Sequence, residues 1–182
     1  MTRVLVGGVG YRWMGDASFG LAVIDALARE SWPADVEIAD LGYGALYVAL
    51  DLADRTRPPS AGTRSLDRLV LVAGVERGRE PGQLSCVLWR PIALNDEDVQ
   101  ARIREAGAGV IDLDHLLVIA QHFGSLPSEV FCIELEPVDA HGGERLSEIA
   151  ARQVSEACAL VRSLALGVGS RLSGVEVLGA RC

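Results

Sequence analysis

The sequence predicts an α/β protein: a three-layer α/β/α sandwich around a mostly parallel, twisted five-stranded sheet of the phosphorylase/hydrolase type. Two observations carry this. Short apolar runs alternate with amphipathic segments of helical period along most of the chain, the pattern of strands joined by crossover helices. The run Leu69-Val70-Leu71-Val72 is continuous rather than alternating, as suits a central strand covered on both faces. With 182 residues, about half of them hydrophobic, the chain is long enough for one domain with a substantial core.

The first strand is expected at Arg3–Val9, ending in Gly7-Gly8-Val9-Gly10, and the first helix at Ser18–Glu30. A second strand covers Val36–Asp40 and a second helix Ala45–Ala53. The stretch Arg55–Thr63, with Pro58-Pro59 and Gly62, reads as a loop. Strand 3 is Arg68–Val75, and Pro81-Gly82 turns the chain into strand 4, Gln83–Trp89. Asn95 is placed to cap a polar helix over Asp96–Ala106, and Asp112 another over Leu113–Phe123 that stops at Gly124. Strand 5, Glu129–Leu135, ends before Pro137. Ser147-Glu148 opens a last helix reaching about Leu164. The domain is drawn as 1–165, with 166–182 as a weakly ordered tail that holds one short strand-like run, Val175–Leu178.

Composition excludes several chemistries. The net charge is −8, which argues against a nucleic-acid surface and against acidic membranes. All 17 basic residues are Arg, so Schiff-base and catalytic-lysine mechanisms and the P-loop are ruled out. Cys86, Cys132, Cys158 and Cys182 form no CxxC pair, and the first three sit in apolar strand or helix patterns as buried thiols. The chain begins in a strand with no signal peptide, and no apolar run reaches the ~18 residues of a membrane span; the expectation is a cytoplasmic protein.

The loop after strand 1 draws most attention. Gly8-Val9-Gly10 is reminiscent of a pyrophosphate cradle, with Asp40 where a ribose-binding acid would stand, but Trp13 takes the place of the third glycine. Asp16 and Asp40 both close strand–loop junctions at one sheet edge. They are candidates for a catalytic carboxylate pair, or for acceptors of backbone N–H groups in tight loops. Tyr11, Arg12, Trp13 and Met14 bring two aromatics, an Arg and a Met into one loop. That is either an interface or, for Trp13, a cover over the core.

Gly8-Val9-Gly10, Met14-Gly15-Asp16 and Phe19-Gly20, in this order and spacing, resemble the opening of the hydrogenase maturation endopeptidases. These enzymes remove a C-terminal peptide from the large subunit of nickel–iron hydrogenases. The resemblance continues through Asp40-Leu41-Gly42, Leu69–Val75, Glu80-Pro81-Gly82, the Leu113/Leu116/Leu117 pattern and Ile133–Pro137. It implies that nickel in the substrate is read through an acid in the first loop, an Asp ending strand 3 and a His before the penultimate helix. Those positions fall on Ala17, Ala73 and Gly109, none of which has a donor side chain. No metal cofactor is therefore expected. The replacement ligands within reach are Asp16, Asp112 and His115, with Glu76 three residues beyond Ala73.

The expected binding cleft is Gly8, Gly10, Trp13, Asp16, Ala17, Ala73, Glu76 and Gly109. Three functions follow. The first is a maturation-protease-like protein that has lost nickel-dependent cleavage and binds a protein partner, such as a hydrogenase large subunit or another precursor tail. The second is a divergent endopeptidase with relocated ligands. The third is a small-molecule or nucleotide-binding module built on Gly8–Gly10.

Overall fold

The computed structural model describes residues 2–57, 64–140, 142–167 and 175–178. Its strands are β1 (Val4–Gly8), β2 (Val36–Asp40), β3 (Arg68–Gly74), β4 (Leu84–Trp89), β5 (Glu129–Leu135) and β6 (Val175–Leu178). Its helices are α1 (Phe19–Leu27), α2 (Ala45–Thr56), α3 (Asp96–Gly107), α4 (Leu113–His122) and α5 (Glu148–Leu166), with a 3-10 turn at Gly15–Ser18 before α1. The sheet order is β2-β1-β3-β5-β4-β6. β1 pairs in parallel with β2 and β3, and β3 with β5; β4 runs antiparallel to β5, and β6 is parallel to β4. The expected five-stranded, mostly parallel sheet is thus present, with Val175–Leu178 added at its edge. The rest of the 166–182 tail beyond Gly167 lies outside the described residues.

Alternation along the central strands builds the two cores. Val4, Val6, Val70 and Val72 face one side, where they meet Phe19, Val23 and Leu27 of α1 and Ala157 and Val161 of α5. Leu5, Leu69 and Leu71 face the other, against Val48 and Leu52 of α2 and Leu116 and Ile119 of α4. A strand whose successive side chains point to opposite faces needs both faces apolar when helices cover both, which explains the unbroken Leu-Val-Leu-Val run.

The caps act as their residue types dictate. Asn95 accepts from the Asp98 N–H, Asp112 from the Asp114 and His115 N–H groups, and Ser147 from the Ala150 N–H. α1 is shorter than expected because Gly15–Ser18 tightens into a 3-10 turn before it, and past Ala28 the Arg29 and Glu30 N–H groups bond three residues back, to Ala26 and Leu27. α2 runs to Thr56, past Ala53, where the Arg57 N–H bonds the Ala53 carbonyl and the Thr56 hydroxyl bonds that of Leu52.

Strand order fixes where a ligand can enter. From β1 the chain leaves to one side, to β2, and then returns to the other, to β3. The connections therefore part between the carboxyl ends of β1 and β3, the crevice at which open α/β sheets place their sites. α1 packs very closely against this end. A Cβ on Gly20 would lie 2.1 Å from the Val72 carbonyl oxygen and 2.8 Å from that of Val9. Both are backbone atoms that cannot swing away. Gly20→Ala is expected to lower unfolding free energy by about 2 kcal/mol, read from the denaturant midpoint; an unchanged midpoint would contradict this packing.

Candidate functional site

A cleft of about 260 Å³ opens at that crevice. Its floor is Ala73 and Gly74 at the end of β3 with Val75 just beyond; one wall is Val9, Gly10, Tyr11 and Ala17, the other Ile111 to Asp114, and exposed Glu76 with Pro137 and Ala140 forms the rim. Of the residues expected to form it, Gly10, Ala17, Ala73 and Glu76 line it. Gly8, Trp13, Asp16 and Gly109 do not. Tyr11, Ile111, Asp114 and Ala140 were not foreseen; Pro137, noted only as the end of strand 5, carried the one local hint that the chain turns here.

Gly8 and Gly10 are needed for close packing. A Cβ on Gly8 would meet the Gly20 carbonyl at 2.6 Å, and one on Gly10, at φ +140°, the Ala17 carbonyl at 2.2 Å. Gly8 thus admits α1 against β1, and Gly10 admits the 3-10 turn against the first loop. Asp40 has a local role: it accepts from the Gly42 N–H and pairs with Arg12, which also binds Asp25. Arg12 holds the Asp25 carboxyl below its ordinary value by hydrogen bonding.

Asp16 is completely buried and does not touch the cleft. Its carboxylate accepts the N–H groups of Val138 (2.9 Å), Asp139 (3.2 Å) and Ser147 (2.8 Å), and the Ser147 hydroxyl (2.9 Å). It thereby fixes the segment after β5 and the start of α5. The expected Asp16–Asp40 catalytic pair is not assembled, because each acid is bonded to a different partner set. Here the alternative reading applies: an acid in a tight turn takes backbone donors.

The relocated ligand set fails for the same reason. His115 is buried with Nδ1 at 2.9 Å from Asp112 and Nε2 at 2.5 Å from Glu105, so both ring nitrogens are engaged within the α3–α4 corner. Burial disfavours the Asp112 charge, but bonds from the His115 side chain and from the His115 and Asp114 N–H groups outweigh it and hold the carboxyl below its usual value. Among the described residues no group of three His, Cys, Asp or Glu side chains is arranged to hold a metal ion. Burial pushes the Cys86 thiol up to about 11 and the Cys132 thiol well above its ordinary value.

Behind the cleft lies a charge network that the sequence did not announce. Glu134 on β5 is 1% exposed. It receives Arg77 (2.8 and 3.2 Å) and Arg79 (2.9 Å), while Arg77 also forks onto both oxygens of Asp114 at 2.7 Å. The Asp114 bonds, and then those of Glu134, raise the Arg77 pKa despite burial. Glu136 accepts the Arg77 and Gly78 N–H groups. This network ties the loop after β3 to the start of α4, the two elements that flank the cleft.

Tyr11 spans the cleft's other side. Its hydroxyl donates to the Gly109 carbonyl (3.0 Å) and accepts from the Ile111 N–H (2.7 Å). Gly109 itself has φ +93°, and a Cβ there would meet nothing within 4 Å. Trp13 covers no core: it is 70% exposed, at φ +62°. That left-handed conformation is uncommon for a bulky residue and persists only where the surroundings enforce it. The Gly143 N–H bonds the Trp13 carbonyl, and Met14 bridges to Gly143. Among the described residues no helix is long and apolar enough to cross a membrane.

Comparison with known proteins agrees with this architecture. No family model matches the chain, and no curated protein matches it in sequence. Solved structures do. The hydrogenase 2 maturation peptidase of a Thaumarchaeota archaeon is 33% identical, with 92% of this chain and 100% of that one aligned at a TM-score of 0.62. The maturating endopeptidase HybD of E. coli (22% identity, 92% and 94% coverage, TM-score 0.65) shares the fold. So does the protease HycI of Thermococcus kodakarensis (19%, 91% and 93%, TM-score 0.58). With a third of its residues shared over the whole length of the archaeal peptidase, and with Gly10 and Ala17 of the first loop, the β3 end and the α4 start all placed around one cleft, the chain belongs to the hydrogenase maturation endopeptidase family.

Proposed function

We propose that this member of the family binds a polypeptide segment of a protein partner in the cleft and does not carry out nickel-guided cleavage. The partner is a hydrogenase large subunit or another precursor tail. The observation that carries the reading is the triad Ala17, Ala73 and Gly109. The resemblance places the three groups that read substrate nickel at these positions, and here they offer a methyl, a methyl and a hydrogen. A divalent metal needs carboxylate or imidazole donors, and the donor set does not fit. Of the acids that remain, Asp112 caps α4 and binds His115 through Oδ1, Asp114 is held by Arg77, and among the described residues no three His, Cys, Asp or Glu side chains gather to hold an ion. Replacing acids with small residues also removes mutual repulsion at the cleft, so the shape survives without an ion to screen it.

Calorimetric titration of the full chain with nickel, zinc and cadmium tests this. No stoichiometric site is expected in the wild type. Ala17→Glu/Ala73→Asp/Gly109→His is expected to gain metal affinity by at least about tenfold. The space beyond Gly109 admits the imidazole, although φ +93° strains any side chain there. One equivalent of metal bound by the wild type in the micromolar range, or trimming of a hydrogenase large-subunit precursor by it, would overturn the proposal.

A further inference from the structure

We infer that His115 is a pH-sensitive latch that, while charged, holds α3 against α4 and steadies the Gly109–Asp112 wall of the cleft, and that lets α3 go when it loses a proton. The latch belongs to the wall whatever the cleft binds. The ring itself is the first observation. Nδ1 lies 2.9 Å from Asp112 Oδ1, and Nε2 lies 2.5 Å from Glu105 Oε2. An ionised carboxylate only accepts hydrogen bonds, and a neutral imidazole has one N–H. Both bonds exist together only when both ring nitrogens carry a proton. The two acids are ionised: bonds from His115 and Arg102 hold the Glu105 carboxyl below its ordinary value, and although burial opposes the Asp112 charge, its bonds from His115 hold that carboxyl low as well. The ring is therefore an imidazolium that ties α3, through Glu105, to the start of α4.

The other groups around the ring do not replace that tie. Arg102 of α3 donates to Glu105 at 2.9 Å and stands 3.5 Å from Nε2. Swinging it onto a bare Nε2 would trade an ion–ion bond for an ion–neutral one and break its own bond to Glu105. Asp114, the next acid of α4, is held by Arg77. α2, packed on α4, turns Val48, Ala49 and Leu52 into the shared core, none of them titratable. The sign follows. The carboxyls held low contribute above their values and stop contributing as pH falls through them. The imidazolium contributes below its own titration and stops as pH rises through it. The latch holds between these limits and opens on the alkaline side, where histidine is the side chain that ordinarily changes charge near neutrality; burial moves the Cys86, Cys132 and Cys158 thiols up and away from it.

The second observation is how little apolar surface anchors α3. Of its 12 residues only Val99 is buried, with Ile103 and Ala106 partly so, whereas α4 buries six of its 10. Its first turn holds Asp96, Glu97 and Asp98 in solvent. A helix with so small an apolar face depends on the few bonds that reach outside it, and such elements open first. After α3 the chain runs through Gly107, Ala108 and Gly109, and a Cβ on either glycine would meet nothing within 4 Å. This uncrowded segment leads straight into Ile111 and Asp112 on the cleft wall. The wall is thus pinned from one side by the Tyr11 hydroxyl, bonded to Gly109 and Ile111, and from the other by His115.

Amide hydrogen exchange of the full chain, followed by NMR while pH is raised through the titration of the His115 ring resonances, tests the latch. Protection of the α3 amides, corrected for intrinsic exchange, is expected to fall by at least about tenfold as the ring loses its proton, while β3 and α4 keep theirs. His115→Gln should show low α3 protection that no longer depends on pH. His122→Gln, at the far end of α4, should keep the wild-type response. Because His115 is buried, Glu105→Gln serves as the second variant: it sits at an exposed position and should flatten the response without disturbing the core. Protection of α3 that is constant through the His115 titration would overturn the latch. So would a wild-type response in both His115→Gln and Glu105→Gln, or a ring that keeps both protons until the chain unfolds. No ligand enters these measurements, so their failure is distinct from failure of the proposed cleft function.

Discussion

Asp16→Ala is expected to lose about 4 kcal/mol of stability, because it strands three backbone N–H groups and one hydroxyl in a buried place. Each buried donor left without an acceptor costs roughly 1–3 kcal/mol, and some water entry reduces the sum. Against a native stability of about 5–15 kcal/mol this is a large share. Asp16→Asn keeps the shape but turns an amide NH₂ toward N–H donors, so it recovers only part of the loss. Ser147→Ala removes one of the four contacts together with the α5 cap, and is expected to cost about 1–2 kcal/mol. The Asp16→Ala/Ser147→Ala double variant should lose less than the sum of the two singles, since the partners are shared. Equilibrium urea denaturation followed by far-ultraviolet circular dichroism provides all four values. A loss below about 1 kcal/mol for Asp16→Ala would contradict the structural role and reopen the catalytic one. The damage should concentrate at the cleft, because Pro137 and Ala140 belong to the segment that Asp16 holds.

Arg77→Met is expected to cost about 3 kcal/mol. Breaking a buried pair by removing one partner leaves the other charge without compensation, and that penalty is roughly 3–5 kcal/mol. Glu134 would keep Arg79, which moderates the loss. Asp114 would lose both of its bonds from Arg77 and be free to turn toward the cleft. The expected consequence is twofold: a lower denaturant midpoint and weaker binding of any peptide that the wild type takes in the cleft. Arg77→Met/Glu134→Gln should be less damaged than the sum of the single variants, because the lone buried carboxylate has gone. Additive losses would show that Arg77 and Glu134 act independently and that the network does not brace the cleft.

The elements were legible because each rests on local chemistry. The Leu69–Val72 run, the Asn95, Asp112 and Ser147 caps and the Phe19–Leu27 period are satisfied within a few residues of chain. They come out as expected, with ends shifted by a 3-10 turn before α1 and extra ladder bonds at α2. The family resemblance was equally open to view, and with it the three small residues Ala17, Ala73 and Gly109, since a missing donor is a fact of residue type.

The use to which each polar side chain is put was not legible. Asp16 stood beside Ala17 as a plausible acid or ligand, and its donors turned out to lie at Val138, Asp139 and Ser147. Tyr11 finds Gly109 and Ile111, and Arg77 finds Glu134 and Asp114. Hydrogen-bond partners so far along the chain leave no periodic trace, because they depend on which loops the sheet order brings together. Trp13 was balanced between core cover and surface contact, and only the backbone bonds to Gly143 set its φ and its exposure. By itself the sequence determined the fold, the family and the absence of three donors, all properties of local pattern and residue type. The tertiary structure decided which acids bond the chain's own amides and arginines, and which residues it gathers around the cleft between β1 and β3, because those partners meet only when the sheet order is set.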